Sequence, residues 1–169
     1  MHHQTHLAAC PSPVGLLTLA SDGENLTGLW LENQKYFGST CAPDAQPGAL
    51  PVFAQAFDWL ARYFRGEAPA MTLPLAPAGS PFRQAVWDIL RRIPYGETTT
   101  YGRIAAQLER QTGRRASAQA VGGAVGHNPI SILIPCHRVL GADGGLTGYA
   151  GGLDVKARLL TLEGARFRL

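Results

Sequence analysis

The chain has 169 residues, of which 46% are hydrophobic and 16% charged, with a mean hydropathy of -0.02; this is the composition of a soluble globular protein with room for one domain or two small ones. No run of about 18 apolar residues and no basic, apolar leader is present, so neither a membrane span nor a signal peptide is expected and a cytoplasmic protein is the expectation. The net charge of +3 is unevenly spread: residues 1–79 carry three basic against six acidic side chains, and residues 80–169 carry twelve against six, eleven of the twelve being arginine. That asymmetry fits either a C-terminal half that meets a polyanion or a solvated basic face.

The first fifty residues read as short strands. LLTLA at 16–20 and LTGLWLE at 26–32 are apolar and separated by the turn signal SDGEN. GSTCAPDAQPG at 38–48 has the composition of a loop. From Pro51 the period changes to that of a helix, with Phe53, Phe57, Leu60, Ala61 and Phe64 on one face and Gly66 beyond its end. EAPAMTLPLAPAGS at 67–80, with prolines at 69, 74 and 77, reads as an extended linker and a domain boundary.

The second half opens on Ser80 as an N-cap with Pro81 at the first helical position. Phe82, Ala85, Val86, Ile89 and Leu90 form the apolar stripe, and Pro94 stops the helix. Thr100 caps a second helix with Ile104, Ala105 and Leu108 facing inward; ERQTGRRA at 109–116 connects it to a third helix, AQAVGGAVG, capped by Ser117. A helix, a connection and a second helix suggest a helix-turn-helix variant, although this connection is longer than the usual tight turn. Gly122 and Gly123 lie mid-helix, where each costs roughly 1 kcal/mol relative to Ala. A helix so bare is built either for tight packing on a neighbouring helix or for close approach to a DNA groove, and Arg110, Arg114, Arg115 and His127 flank it.

NPISILIPCHRV at 128–139 is the most informative segment. Ile130, Ile132, Leu133 and Ile134 read as a buried strand that Pro135 halts. Cys136 follows at once, then His137 and Arg138. A thiol attacks only as its thiolate, which a neighbouring histidine or arginine favours. The segment therefore places either a nucleophile or a buried structural cysteine beside an incidental histidine. Downstream, Leu153, Ala157, Leu160 and Ala157's neighbour Lys156 set the period of a final helix with Gly164 as its C-terminal cap. Glu163 sits in the last turn, where an acid opposes the helix dipole. It is either a solvated surface acid or the partner of a histidine N–H, completing a Cys136–His137–Glu163 relay.

PCHRV, preceded by NPISILI and followed by TGYAGG and LLTLEG, resembles the O6-alkylguanine-DNA alkyltransferases, the methylated-DNA–protein-cysteine methyltransferases. The likeness runs through about 80–164, and SPVGLLTLA with the helix at 51–65 is compatible with the family's N-terminal domain. It implies an α+β chain: an N-terminal ribonuclease H-like α/β domain with linker over 1–79, then a winged-helix-like domain over 80–169 that binds DNA and accepts the alkyl group. By this resemblance Cys136 takes the alkyl group from O6 of a flipped guanine, once per molecule and without cofactor or metal. His137 deprotonates it through a water and is oriented by Glu163. Asn128 shapes the turn after the recognition helix, and Tyr101 donates to the guanine and helps rotate it out. The carbonyls of Cys136 and Val139 accept from the exocyclic amine, and the loop 147–152, with Tyr149, Ala150 and Gly151, covers the pocket. Ala150 stands where some members have serine. Ser117, Gln119, Ala120, Gly122 and Gly123 face the minor groove, with Arg114, Arg115 and Arg138 as further DNA contacts. Gln119 stands where many members have the arginine that fills the gap left by the base.

The implied partner is duplex DNA carrying O6-alkylguanine, with no membrane and no obligatory protein partner. Some relatives hold a structural zinc in the N-terminal domain, but His2, His3, His6, Cys10 and Cys41 match no zinc spacing, and a mobile polar N-terminus is expected instead. Two readings from other classes stand beside this one: a Cys–His hydrolase, which turnover of an ester or peptide would favour, and a non-catalytic DNA-binding regulator. The presence of Cys136 speaks against the second, because alkyltransferase-like binders without chemistry replace that residue.

Overall fold

The computed structural model describes residues 4–169. The chain divides into two compact units, one holding the residues up to Ala78 together with Pro129–Leu133, the other Gly79–Asn128 and Ile134–Leu169. No helix among the described residues is long and apolar enough to cross a membrane.

The first unit is a four-stranded sheet with one helix. Its strands are β1 (His6–Cys10), β2 (Leu17–Ser21), β3 (Leu26–Leu31) and β4 (Gln46–Pro47), in the order β3-β2-β1-β4, and its helix is α1 (Pro51–Phe64). The β2–β3 connection turns where Asp22 Oδ1 accepts from the amides of Glu24 (3.0 Å) and Asn25 (2.8 Å), an aspartate mimicking a backbone turn. β1 corrects the expected mobile N-terminus from residue 6 onward: it pairs with β2 from His6↔Ser21 to Cys10↔Leu17. His2 and His3 lie outside the described residues. The face of α1 is also rotated from the expected one, because Val52, Phe53, Ala56, Trp59, Leu60 and Tyr63 are buried while Ala61 is exposed. The aromatic pair Trp59–Tyr63, stacked at 5.4 Å, sets that face. Part of the proline-rich 67–80 stretch is packed, not free: the Leu26 amide donates to Pro74 O and the Ala76 amide to Leu26 O, both at 2.8 Å.

The apolar run 130–134 is buried as expected, but it is not a strand. It makes one bridge, Leu29↔Ile130, and then turns. Ile132 takes φ 69°, with the Leu133 amide bonded to Ser131 O at 2.8 Å. A β-branched residue in the left-handed region costs on the order of 1–3 kcal/mol, and no pattern of apolar residues announces it.

The second unit is built from α2 (Pro81–Leu90), α3 (Tyr101–Thr112), α4 (Ala118–Gly126) and α5 (Leu153–Leu162), with a two-stranded parallel ladder of β5 (Thr99–Thr100) and β6 (Val139–Leu140). The three expected N-caps are formed: Ser80 accepts from the Arg83 amide, Thr100 from Arg103 and Ser117 from Ala120. Such caps contribute about 1 kcal/mol each. α4 packs on both α2 and α3, and Trp87 Nε1 donates to Ala124 O at 2.9 Å in the interior. The ends of two stripes differ from expectation, since Phe82 and Leu153 are exposed, at 39% and 46%. The buried residues of α5 are Lys156, Leu159 and Leu160.

Candidate active site

The chain approaches the site through Pro135, whose φ of −81° and ψ of 65° form a tight three-residue turn closed by the Cys136 amide on Ile134 O at 2.8 Å. A single turn of 3-10 helix, Cys136–Arg138, follows and leads into β6. Three consecutive reactive or charged side chains therefore project from one tight turn, and all three are buried.

His137 is fully buried, and its Nε2 lies 2.7 Å from Glu163 Oε2. An ionised carboxylate only accepts, so Nε2 carries the proton and the lone pair of the neutral ring sits on Nδ1. Nδ1 is buried with no hydrogen-bond partner among the described residues. Of the two readings of Glu163, the histidine partner is the one found, and the acid is buried at the C-terminus of α5. Its other donors are Arg138 Nε on Oε1 at 2.7 Å, Arg138 Nη2 on Oε2 at 3.1 Å and the Gly96 amide on Oε1 at 3.3 Å. Gly96 has φ 82°, and a Cβ there would stand 3.1 Å from Glu163 O, so the close approach requires glycine.

Arg138, expected among the DNA contacts, is buried, with Nη1 donating to Ile93 O at 2.6 Å and its guanidinium carbon 5.9 Å from the Tyr95 ring centre. Its fork is directed at Glu163 and not at the thiol. Burial pushes the Cys136 thiol up from its ordinary value, and hydrogen bonds from the side chains of Asn128 and Tyr149, with the charge of Lys156, pull it back. Burial likewise holds His137 below the usual histidine range, against the pull of Glu163.

Asn128 reaches further: its Nδ2 donates to Ile134 O at 2.8 Å, the carbonyl that the Cys136 amide also uses. Tyr101, at the start of α3, is half-buried; burial raises its hydroxyl, which hydrogen-bonds Thr147 and feels the charge of Cys136. Lys156, which the sequence places in the period of the final helix, has a place in the site that the sequence reading did not assign. It is fully buried, and Nζ donates to Thr147 O at 2.8 Å and Gly148 O at 3.3 Å, tying down the first residues of the 147–152 loop. Desolvation lowers it to about 8. Its spacing to Leu159 and Leu160, i to i+3 and i+4, placed it on the buried stripe of α5, which was the available signal.

On α4 the two glycines part company. A Cβ on Gly122 would meet the Tyr101 ring at 3.8 Å, whereas one on Gly123 would meet nothing within 4 Å. Gln119, Ala120 and Gly123 are exposed, and so are Arg114, Arg115 and Ser117 ahead of them. The half-buried Tyr149, Ala150 and Gly151 lie in the loop that Lys156 holds, and Val139 is buried in β6. No group of three or more metal-ligating side chains is found among the described residues.

Known proteins fit this arrangement along most of the chain. The 6-O-methylguanine DNA methyltransferase family matches in two parts, its ribonuclease-like domain at residues 6–77 and its DNA binding domain at residues 81–165. A methylated-DNA–protein-cysteine methyltransferase of Haemophilus influenzae is 47% identical over 157 residues, 90% of this chain and 83% of its own. One of Mycobacterium bovis is 47% identical over 161 residues, 95% and 93% of the two chains. The crystal structure of Mycobacterium tuberculosis OGT in complex with DNA superimposes with a TM-score of 0.84 at 45% identity, covering 94% of this chain and 92% of that one. With both domains matched and nearly half the residues shared with such relatives, the chain belongs to the 6-O-methylguanine DNA methyltransferase family.

Proposed function

We propose that this protein repairs alkylated DNA by moving the alkyl group of an O6-alkylguanine, chiefly methyl, to Sγ of its own Cys136, once per molecule. The observation that carries the reading is the buried pair of His137 and Glu163, 2.7 Å apart, which leaves the basic Nδ1 on the ring next in sequence to the thiol. The Cys136 proton passes to His137. The sulfur pair forms the S–C bond as the C–O6 bond breaks, and the electrons of that bond leave with guanine, which takes a proton from Tyr101. Burial that raises the Tyr101 hydroxyl keeps it protonated and able to donate. Asn128 fixes the turn that presents the thiol, the carbonyls of Cys136 and Val139 receive the guanine amine, and Tyr149, Ala150 and Gly151 close over the base.

The oxygen to be dealkylated is stacked inside the duplex, so the base has to be flipped out, at a few kcal/mol. The exposed turn of α4, with Ser117, Gln119, Ala120, Gly122 and Gly123, enters the minor groove and wedges the stack, and Arg114 and Arg115 bind phosphate. Minor-groove reading carries little sequence information, which suits a search for damage anywhere. The cytoplasm, where thiols stay reduced, is the compartment this chemistry needs.

Incubation with duplex DNA containing O6-methylguanine should add one methyl mass, on the peptide that contains Cys136. Cys136→Ser should abolish the transfer and keep DNA binding. A methyl on Cys10 or Cys41, or turnover beyond one equivalent, would overturn the reading, and turnover of an ester or peptide would favour a Cys–His hydrolase.

A further inference from the structure

The site holds more charge than thiol activation alone requires. Around His137 stand Cys136 and Arg138 from its own turn, Glu163 and Lys156 from α5 and its end, and Tyr95 under the Arg138 guanidinium. Burial disfavours a charged His137, but a carboxylate 2.7 Å away pulls the ring the other way, toward the imidazolium, since an opposite charge this close favours the charged form by about 1–3 pKa units. A protonated ring has no lone pair on Nδ1 and cannot take the proton from Cys136. Glu163 is not left to itself. Arg138 meets it with two parallel hydrogen bonds, at 2.7 and 3.1 Å, the forked geometry in which guanidinium best neutralises carboxylate. Its third nitrogen position is fixed on Ile93 O and its face lies over Tyr95, so the fork has one orientation.

We propose that Arg138 is a positioning residue of the reaction: by cancelling the charge of Glu163 while leaving one lone pair of Oε2 for Nε2–H, it keeps His137 a neutral, oriented base. Glu163 then sets the tautomer without setting the charge. The proton that leaves Sγ finds Nδ1 empty, and the imidazolium that forms is stabilised by Glu163 only once transfer has begun. The permanent charge of arginine suits this task, because it does not titrate with the histidine it protects.

The inference rests on the alkyl-transfer reading, but its deciding measurement, the titration of His137, needs neither DNA nor an alkyl donor. Protein labelled with nitrogen-15 in histidine is titrated by NMR from pH 5 to 8.5. In the unaltered protein His137 should show the neutral Nε2–H pattern at pH 7. In Arg138→Met it should titrate about one unit or more higher and be imidazolium at pH 7. Arg138→Lys, which keeps the charge, should restore most of the neutral form. The acid limb of the rate of reaction with free O6-benzylguanine should move with the NMR titration, by the same amount. An imidazolium in the unaltered protein at pH 7 overturns the proposal even if no variant folds. So does a His137 titration that is unmoved in Arg138→Met. Methyl transfer to Cys136 is scored separately by mass, so failure here leaves the repair reading standing and failure there is not mistaken for failure here.

Discussion

The reaction centre and the exposed turn of α4 belong to the same unit and are built on opposite rules. At the centre the side-chain polar groups of Glu163, Arg138 and Lys156 each have partners inside the protein, and the backbone of Gly96 is drawn in to complete the set. On α4, Gln119, Ala120 and Gly123 are exposed, and beside Gly123 there is open space. Chemistry needs groups whose positions do not depend on the ligand. Recognition of any sequence needs a surface small enough to be shaped by its ligand. A mutation at the centre should therefore register in the free protein, and one on the exposed turn only when DNA is present.

The sharpest way to break that contrast is Glu163→Gln. It strands the Arg138 charge in the interior, and breaking a buried pair costs roughly 3–5 kcal/mol. We expect lower stability in chemical denaturation and transfer slowed about 100-fold or more, the usual yield of a positioned base. Adding His137→Phe should cost little further, because members of one relay are not additive. Fully additive losses would give Glu163 a separate, structural role.

Lys156 gives the next largest effect, and its sign is fixed. The folded protein releases this proton near pH 8, whereas a free lysine holds it to 10.5. Between those values the unfolded chain binds more protons, so stability rises with pH across that window, by at most roughly 3 kcal/mol. Lys156→Met should remove that rise when its denaturation is compared with the unaltered protein from pH 7 to 10.5. An unchanged slope would mean that the ammonium is not held in a desolvated site.

On the exposed turn, Gly123→Ala meets no protein atom within 4 Å and should stabilise the free protein by about 1 kcal/mol through helix propensity. Its affinity for duplex should nevertheless fall; a gain in both would remove Gly123 from the interface. The smallest effect is expected at Gln119. Its amide can stack in the space left by guanine but lacks the charge of arginine. Gln119→Ala should slow repair of duplex several-fold and leave the reaction with free O6-benzylguanine unchanged, and Gln119→Arg should match or exceed the unaltered rate on duplex. If neither changes duplex repair, the wedge lies elsewhere, and Arg115 is the next residue to test.

What could be read in the sequence divides along the same line. Caps at Ser80, Thr100 and Ser117 and the stripe of α3 are local signals, and each was legible. The pairing of His137 with Glu163 was legible as one of two options, because an acid in the last turn of a helix asks for a partner. The fate of Arg138 was not. A positive side chain beside a nucleophile reads equally as a DNA contact, and only the return of α5 brings Glu163 to it. Ile132 was hidden for a different reason: apolar residues announce burial, but a left-handed turn among them is set by the fold and not by composition. β1 was hidden because histidines and a cysteine mask a strand whose partner, β2, supplies the apolar signal.

A protein that spends its one alkyl acceptor in a single event must keep it intact until that event arrives. Cys136 is 4% exposed, and burial holds it in the thiol form, whereas Cys10 and Cys41 are only half-buried. Oxidation and adventitious alkylation both follow exposure and thiolate character, so small diffusing electrophiles and peroxides should age the N-terminal cysteines first. The low resting reactivity that looks like a handicap for a nucleophile is thus a form of storage: the sulfur is inert toward what drifts past and is discharged only by a base delivered into its pocket.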